Sequence, residues 1–283
     1  MHRALLIPEV LLDICTHLKQ IGQPSYAYAE KPLYRRSLAV LATTCKTFYE
    51  PAMDFLWADM NTLLPLLGCV TRLHPMIYPR AQMSWSRGIE PLSELESSQF
   101  LRHSGRVRSM YVPSDEEFHL LRAFPFETCL FPKLLSLSWV VIFTRYLHFF
   151  LSPRLRICYI AIVQPELPRD SIGTRCAALE NLDIETMGVM ALAPHLSETV
   201  RSCKALVRLQ CPPLDSAAWK HLSTVPTLRN VAIRQENVSN PPSKLDTHEL
   251  SLTTFLNITT LHFCYAPIAD ITAIIQHSEF LSL

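Results

Sequence analysis

Seven times between residues 107 and 263 the chain repeats one arrangement of apolar positions: a hydrophobic residue, two free positions, a second, one free position, a third. The sets are Val107/Met110/Val112, Leu134/Leu137/Trp139, Leu155/Cys158/Ile160, Leu179/Leu182/Ile184, Leu206/Leu209/Cys211, Leu228/Val231/Ile233 and Ile258/Leu261/Phe263. Their first members stand 21 to 30 residues apart. The last two members of each set lie two apart, the period of a strand with one buried face. Hydrophobic residues make up 49% of the chain, so three such positions match by chance roughly one time in eight. The lead-ins raise the pattern above chance. Pro132, Pro153 and Pro226 each precede a set by two residues, and Cys176 and Cys203 each precede one by three.

Between the sets the period turns helical. Phe118, Leu121 and Phe124 fall at helical spacing in 117–124, and Met190, Leu192, Leu196 and Val200 follow a looser version in 187–200. A short strand and then a helix, repeated every 20 to 30 residues, predicts an α/β array. Each unit buries its apolar strand face against its neighbours, and parallel strands line one open surface. The side chains predicted to point outward are Ser136 and Ser138, Asn181 and Asp183, Arg208 and Gln210, Asn230 and Ala232, and Thr260 and His262. This mixed polar set suits a protein partner better than a deep small-molecule pocket.

The front of the chain reads differently. Residues 7–18 place Val10, Leu11, Ile14, Cys15 and Leu18 on one helical stripe, with Pro8 and Glu9 suited to a first turn. A second helix is predicted over Ser37–Tyr49, with Leu38, Leu41, Ala42, Cys45 and Phe48 as its stripe, and Pro51 opens a third that carries Phe55, Leu56 and Trp57. Three short helices make a small core. They either dock on a partner or cap the first unit of the array, and periodicity weighs the two equally. Leu63, Leu64, Leu66 and Leu67 predict a further helix, and residues 72–104, rich in Pro, Ser and Met, read as a linker or an irregular first unit. In the irregular stretch Tyr78 and Trp85 are possible exposed anchors, with buried packing the safer expectation. The expected division is a helical module (1–60), a linker helix and irregular segment (61–104), and the array (105–283).

Composition narrows the function. Lys and Arg number 26 and Asp and Glu 25, which argues against nucleic acid as the main partner. Only 6 glycines occur against 21 prolines, so glycine-cradled phosphate sites are not expected. The nine cysteines are odd in number, form no C-x-x-C pair and mostly sit in apolar stretches, as free thiols of a reducing compartment do. No stretch approaches the ~20 apolar residues of a membrane span, and Leu5, Leu6 and Ile7 run at once into Pro8 and Glu9, unlike a secretory signal. A cytoplasmic or nuclear protein, or one found in both, is expected. The eleven histidines show no H-x-x-x-H, and neither a G-x-S-x-G elbow nor a Walker loop occurs. No metal, cofactor or enzymatic activity is therefore expected. The chain ends at Leu283 just after a helical pattern over 270–280, as a chain with a missing or unusual last unit would.

The residues of both halves carry resemblances. The repeated sets over 100–283 resemble the leucine-rich repeat family, although Ile142, Val163, Leu214 and Glu236 stand where that family usually has Asn or Cys. The front, with Ile7-Pro8-Glu9-Val10-Leu11-Leu12, Ile14 and Leu18, then Leu38, Leu41, Cys45-Lys46 and Phe48, then Pro51 to Leu56-Trp57, resembles the F-box, in the fungal type of F-box protein. Phe48 replaces a frequent tryptophan, and Lys19–Arg36 is longer than the usual link between the first two helices. Together these imply a short three-helix F-box-like module followed by a curved leucine-rich repeat solenoid with a parallel sheet. They also imply an adaptor of a cullin–RING ubiquitin ligase, which binds the Skp-family linker protein at one end and an unidentified target protein at the other. By position, Leu6, Pro8, Glu9, Leu11, Ile14 and Leu41 would form the linker-binding face, and Trp57, Phe48 and Leu56 would hold the helices together. The alternative is a repeat scaffold unconnected to ubiquitin ligation; a hydrolase or transferase with an unrecognised site is a distant third.

Overall fold

A computed structural model describes residues 7–21, 33–78, 85–141, 143–162, 172–186, 193–234 and 257–264. Residues 187–192 of the helical stretch expected over 187–200, the stretch expected over 270–280, Leu6 and most of the long link between the first two helices lie outside them.

Three helices open the chain: α1 (Pro8–Ile21), α2 (Leu33–Thr44) and α3 (Lys46–Ala58). α1 starts on Pro8 with Glu9 in its first turn and Lys19 in its last, each where the helix dipole favours it. The break between the second and third helices comes at Cys45, whose backbone is extended (φ −160°, ψ 163°), and not at Pro51 as the pattern predicted. Pro51 lies inside α3, where it withholds one N–H from the ladder. Cys15, Leu38, Ala42 and Ala52 form a small core here, with Leu18, Leu41, Phe55 and Leu56 packed around it.

α3 runs directly into β1 (Asp59–Met60), the first rung of an eight-stranded sheet. The others are β2 (Ser109–Val112), β3 (Ser136–Trp139), β4 (Ile157–Ile162), β5 (Asn181–Thr186), β6 (Arg208–Cys211), β7 (Asn230–Arg234) and β8 (Thr260–Cys264). All neighbours are parallel and stand in chain order. The second and third members of each of the seven predicted sets fall on one strand, β2 to β8, and the first member stands two residues before that strand begins. Their second members stand in one registered row, Met110, Leu137, Cys158, Leu182, Leu209, Val231 and Leu261. All of these are buried except Leu261, which is half-buried.

The junctions repeat as faithfully as the side chains. The Arg108 carbonyl accepts hydrogen bonds from the N–H groups of both Leu135 and Ser136, and the Leu135 carbonyl from those of Arg156 and Ile157. The same fork recurs at Arg156, Glu180, Val207 and Arg229, each accepting from two consecutive residues of the next unit at 2.7–3.1 Å. Thus every unit begins its strand by docking on the carbonyl of the one before it.

Behind the sheet the units close with short elements: 3-10 turns at Phe118–Ala123 and Leu147–Phe150, then α7 (Ile172–Arg175), α8 (Ala193–Ser202) and α9 (Ser216–Thr224). The units start 21 to 30 residues apart, and among the described residues none carries a helix longer than the ten-residue α8 behind the sheet. Phe118, Phe131, Trp139 and Phe150, all fully buried, form an aromatic cluster under β2 to β4. Where α7 meets α8 the backbones approach closely: a side chain at Gly173 would drive its Cβ into the backbone of Ser202. Asp215 caps α9, accepting from the Ala218 N–H at 2.7 Å.

The segment 61–104, expected as a linker or irregular unit, belongs to the main core. Leu63, Leu66, Leu67, Val70, Leu73, Leu92 and Phe100 are all buried in it. It folds as α4 (Leu64–Leu67), α5 (His74–Ile77) and α6 (Glu94–Leu101), the last opened by a capping box in which Ser93 and Glu96 serve each other's backbone N–H. The sheet therefore starts inside the segment assigned to the helical module.

Candidate partner-binding surfaces

Two surfaces present side chains that the fold itself does not use. The first is the outer face of the sheet. Register sets its side chains in two rows that cross the strands. One runs Ser109, Ser136, Ile157, Asn181, Arg208, Asn230, Thr260; the other runs Tyr111, Ser138, Tyr159, Asp183, Gln210, Ala232, His262. None of these fourteen is buried. All ten outward positions read from the sequence lie in these rows. The other four (Ser109, Tyr111, Ile157 and Tyr159) were legible at the same offset between template positions.

The two ends of this face differ in chemistry. Over β2 to β4 it is serine, tyrosine and isoleucine, with Tyr111 and Ile157 exposed. From β5 onward it carries charge. Glu185 accepts from the Tyr159 hydroxyl at 2.5 Å and pairs with Arg234 at 2.9 Å. The Gln210 amide donates to Asp183 at 2.7 Å. Partial burial pushes the Asp183 carboxyl above its ordinary pKa, and neighbouring Glu185 adds to this, against the opposing hydrogen bond from Gln210 and the charge of Arg234. At the margin Arg156 meets Glu180 at 3.4 Å.

The second surface lies on the front helices, where the structure divides the predicted linker-binding residues. Pro8 and Glu9 are exposed, Ile14 and Leu41 are half-buried, and Leu11 is only 4% exposed, inside the fold. Leu6 lies outside the described residues. Among the described residues of this block, Ile7 just before α1 and Leu12, Val40 and Tyr49 on the helices are the exposed large apolar chains. Pattern reasoning passed over Leu12 and Val40 because it looks for the buried stripe, and they lie off it. Leu56 packs on the small helical core and Phe48 is buried, but Trp57 packs on the main core, stacked on His103 with ring centroids 4.5 Å apart. The junction is closed by Arg106, which reaches Glu50 at 2.6 Å and also pairs with Asp54.

A cleft between this block and α4–α5 is lined by Arg35, Leu56, Trp57, Pro65, Gly68, Cys69, His74 and Tyr78. Arg35 donates to the Leu56 carbonyl at 3.1 Å, and the Cys69 thiol to that of Pro65 at 3.5 Å. Burial raises the Cys69 thiol, as it does those of Cys176 (to about 12) and Cys203 (to about 11), so these thiols are poor nucleophiles. Tyr78, one of the aromatic anchors considered from sequence, is exposed; Trp85 is half-buried and packs on the main core. Among the described residues no group of three or more His, Cys, Asp or Glu could hold a metal, and no helix is long and apolar enough to cross a membrane. Comparison with protein-family models and with curated proteins gives no match for this chain.

Proposed function

We propose that the chain is a substrate-recognition adaptor of a cullin–RING ubiquitin ligase. Its front helices bind the Skp-family linker, and the outer face of the sheet holds a target protein for ubiquitin transfer by other subunits. The chain supplies binding and positioning, and makes no bond itself. One observation carries this reading. Ile7, just before α1, and Leu12, Val40 and Tyr49 on the helices are 46%, 48%, 58% and 42% exposed, in a block that already possesses a core of its own. A block that served only to cap the sheet would turn its apolar chains toward the sheet; apolar chains left in water suggest a partner. The F-box-like order of residues in this block supports the same partner, and chain-ordered parallel strands with an uncovered face suit target binding.

A second reading, a repeat scaffold with the helices as its cap, is favoured by the Arg106 ion pairs and the Trp57–His103 stack that tie α3 to the sheet. Co-purification with the linker protein separates the two. Deleting residues 1–60 would remove β1 and the buried Met60, so exposed substitutions are the cleaner instrument. Leu12→Asp combined with Val40→Asp is expected to leave the circular dichroism spectrum unchanged and to reduce linker recovery about tenfold or more. Undiminished recovery with the fold intact would favour the scaffold.

A further inference from the structure

The charged side chains of the outer face are not evenly matched. Asp183 and Glu185 are both engaged within the face, by Gln210 and by Tyr159 with Arg234. Arg208, fifth of the seven in its row, is exposed and meets no carboxylate among the described residues. Arg229, one residue before β7, is also exposed, and among the described residues its guanidinium donates to neutral oxygens of Asn257 alone, at 3.1 and 3.4 Å. Asn181 and Asn230 stand in register on either side of Arg208 and bring further amide donors to the row. A planar guanidinium between two amides is suited to receiving a carboxylate through paired hydrogen bonds. Two strands away in the same row stands Ile157, exposed and apolar where its neighbours are polar. With strands ~4.8 Å apart, Ile157 and Arg208 lie about 10 Å from each other.

From this pairing we infer that the outer face binds an acidic segment of a partner protein, with an Asp or Glu side chain on Arg208 and an apolar side chain on Ile157, about 10 Å apart. The uncompensated positive charge selects the acidic group, and the exposed isoleucine supplies the desolvated anchor that a lone surface ion pair lacks. The inference rests on the reading of the sheet face as the target-binding half of the adaptor, and names the chemistry of that target.

The test is a positional-scanning array of nine-residue peptides probed with the full-length chain at low and at physiological salt. Asp and Glu should be enriched together with an apolar residue three positions away, the spacing that spans about 10 Å in an extended chain, and the signal should fall as salt rises. Arg208→Glu should abolish the acidic preference, and Ile157→Asp should weaken binding about tenfold. Enrichment of Lys or Arg, selection of phosphorylated residues over Asp and Glu, no selectivity, or acidic selectivity unaffected by Arg208→Glu would each overturn the inference. Linker co-purification, run on the same Arg208→Glu protein, keeps the two readings apart. Linker binding without acidic selectivity in the unsubstituted chain overturns this inference alone, and acidic selectivity without linker binding overturns the ligase reading alone.

Discussion

Replacing Phe150 by alanine tests how the array holds itself together. Phe150 is fully buried, with its ring centroid 5.0 Å from Phe131, 5.2 Å from Trp139 and 5.8 Å from Phe118. Phe118 and Phe131 belong to the preceding unit, between β2 and β3, and Trp139 is the last residue of β3 itself. Core Phe→Ala changes cost about 3–5 kcal/mol, a range that already contains the cavity and transfer terms. Ring pairs of this geometry are worth about 0.5–1.5 kcal/mol each beyond area, which places this site near the upper half, at about 4 kcal/mol. Because each unit contacts only its neighbours, the loss should be local. Native-state hydrogen exchange should show β3 and β4 amides opening about 1,000-fold more readily, the equivalent of about 4 kcal/mol, with β7 little changed. Phe150→Leu, which keeps most of the volume, should cost about 1.5 kcal/mol at the same positions. A loss below about 2 kcal/mol for the alanine variant, or equal deprotection at β7, would refute the picture of neighbour-only coupling.

Two further outcomes follow from the local chemistry. Burial holds the His148 imidazole below its ordinary pKa, with Arg175 reinforcing it, and this outweighs the Arg145 backbone contact and the Glu127 charge that favour the cation. Its neutral form is therefore preferred in the fold, so stability is full above the unfolded histidine pKa of about 6.5 and falls as pH drops below it; His148→Leu should shrink the difference in urea midpoint between pH 7.5 and pH 5.5. Arg72 and the Ser93 backbone N–H hold Glu96 at about 2, so its contribution is present above the unfolded glutamate pKa of about 4.3 and is lost as pH falls toward 2. Ser93→Ala, which opens that capping box, should cost about 1 kcal/mol by urea denaturation at neutral pH.

The sheet was legible in the sequence because each strand carries its buried pair two residues apart, and the register then follows from the repeat. β1 escaped the pattern for a physical reason. Met60 supplies the buried member, but Asn61 and Thr62 follow it, so no second apolar position marks a strand of two residues. The helix break was misplaced because proline is the stronger punctuation by rule, yet Pro51 is tolerated within α3 while Cys45 takes the extended geometry. Of the two surfaces, the outer sheet face could be read position by position, since it is the complement of the buried pattern. The exposed apolar chains of the front helices could not, because an apolar residue off the stripe carries no periodic signal. The Tyr159–Glu185–Arg234 chain was also hidden, since it links residues 26 and 49 positions apart.

The strict chain order of the strands has a consequence for synthesis. Every strand pairs with the one made just before it, so contacts form over short sequence distances and each unit has its template waiting when it leaves the ribosome. The one long wait is between β1 and β2, where 61–108 must be made before the first rung gains a partner. During that interval α1 to α3 already possess a core, and the edge of β1 extends from its last helix. A nascent chain can therefore grow by addition at one end, each new rung laid on the one before it.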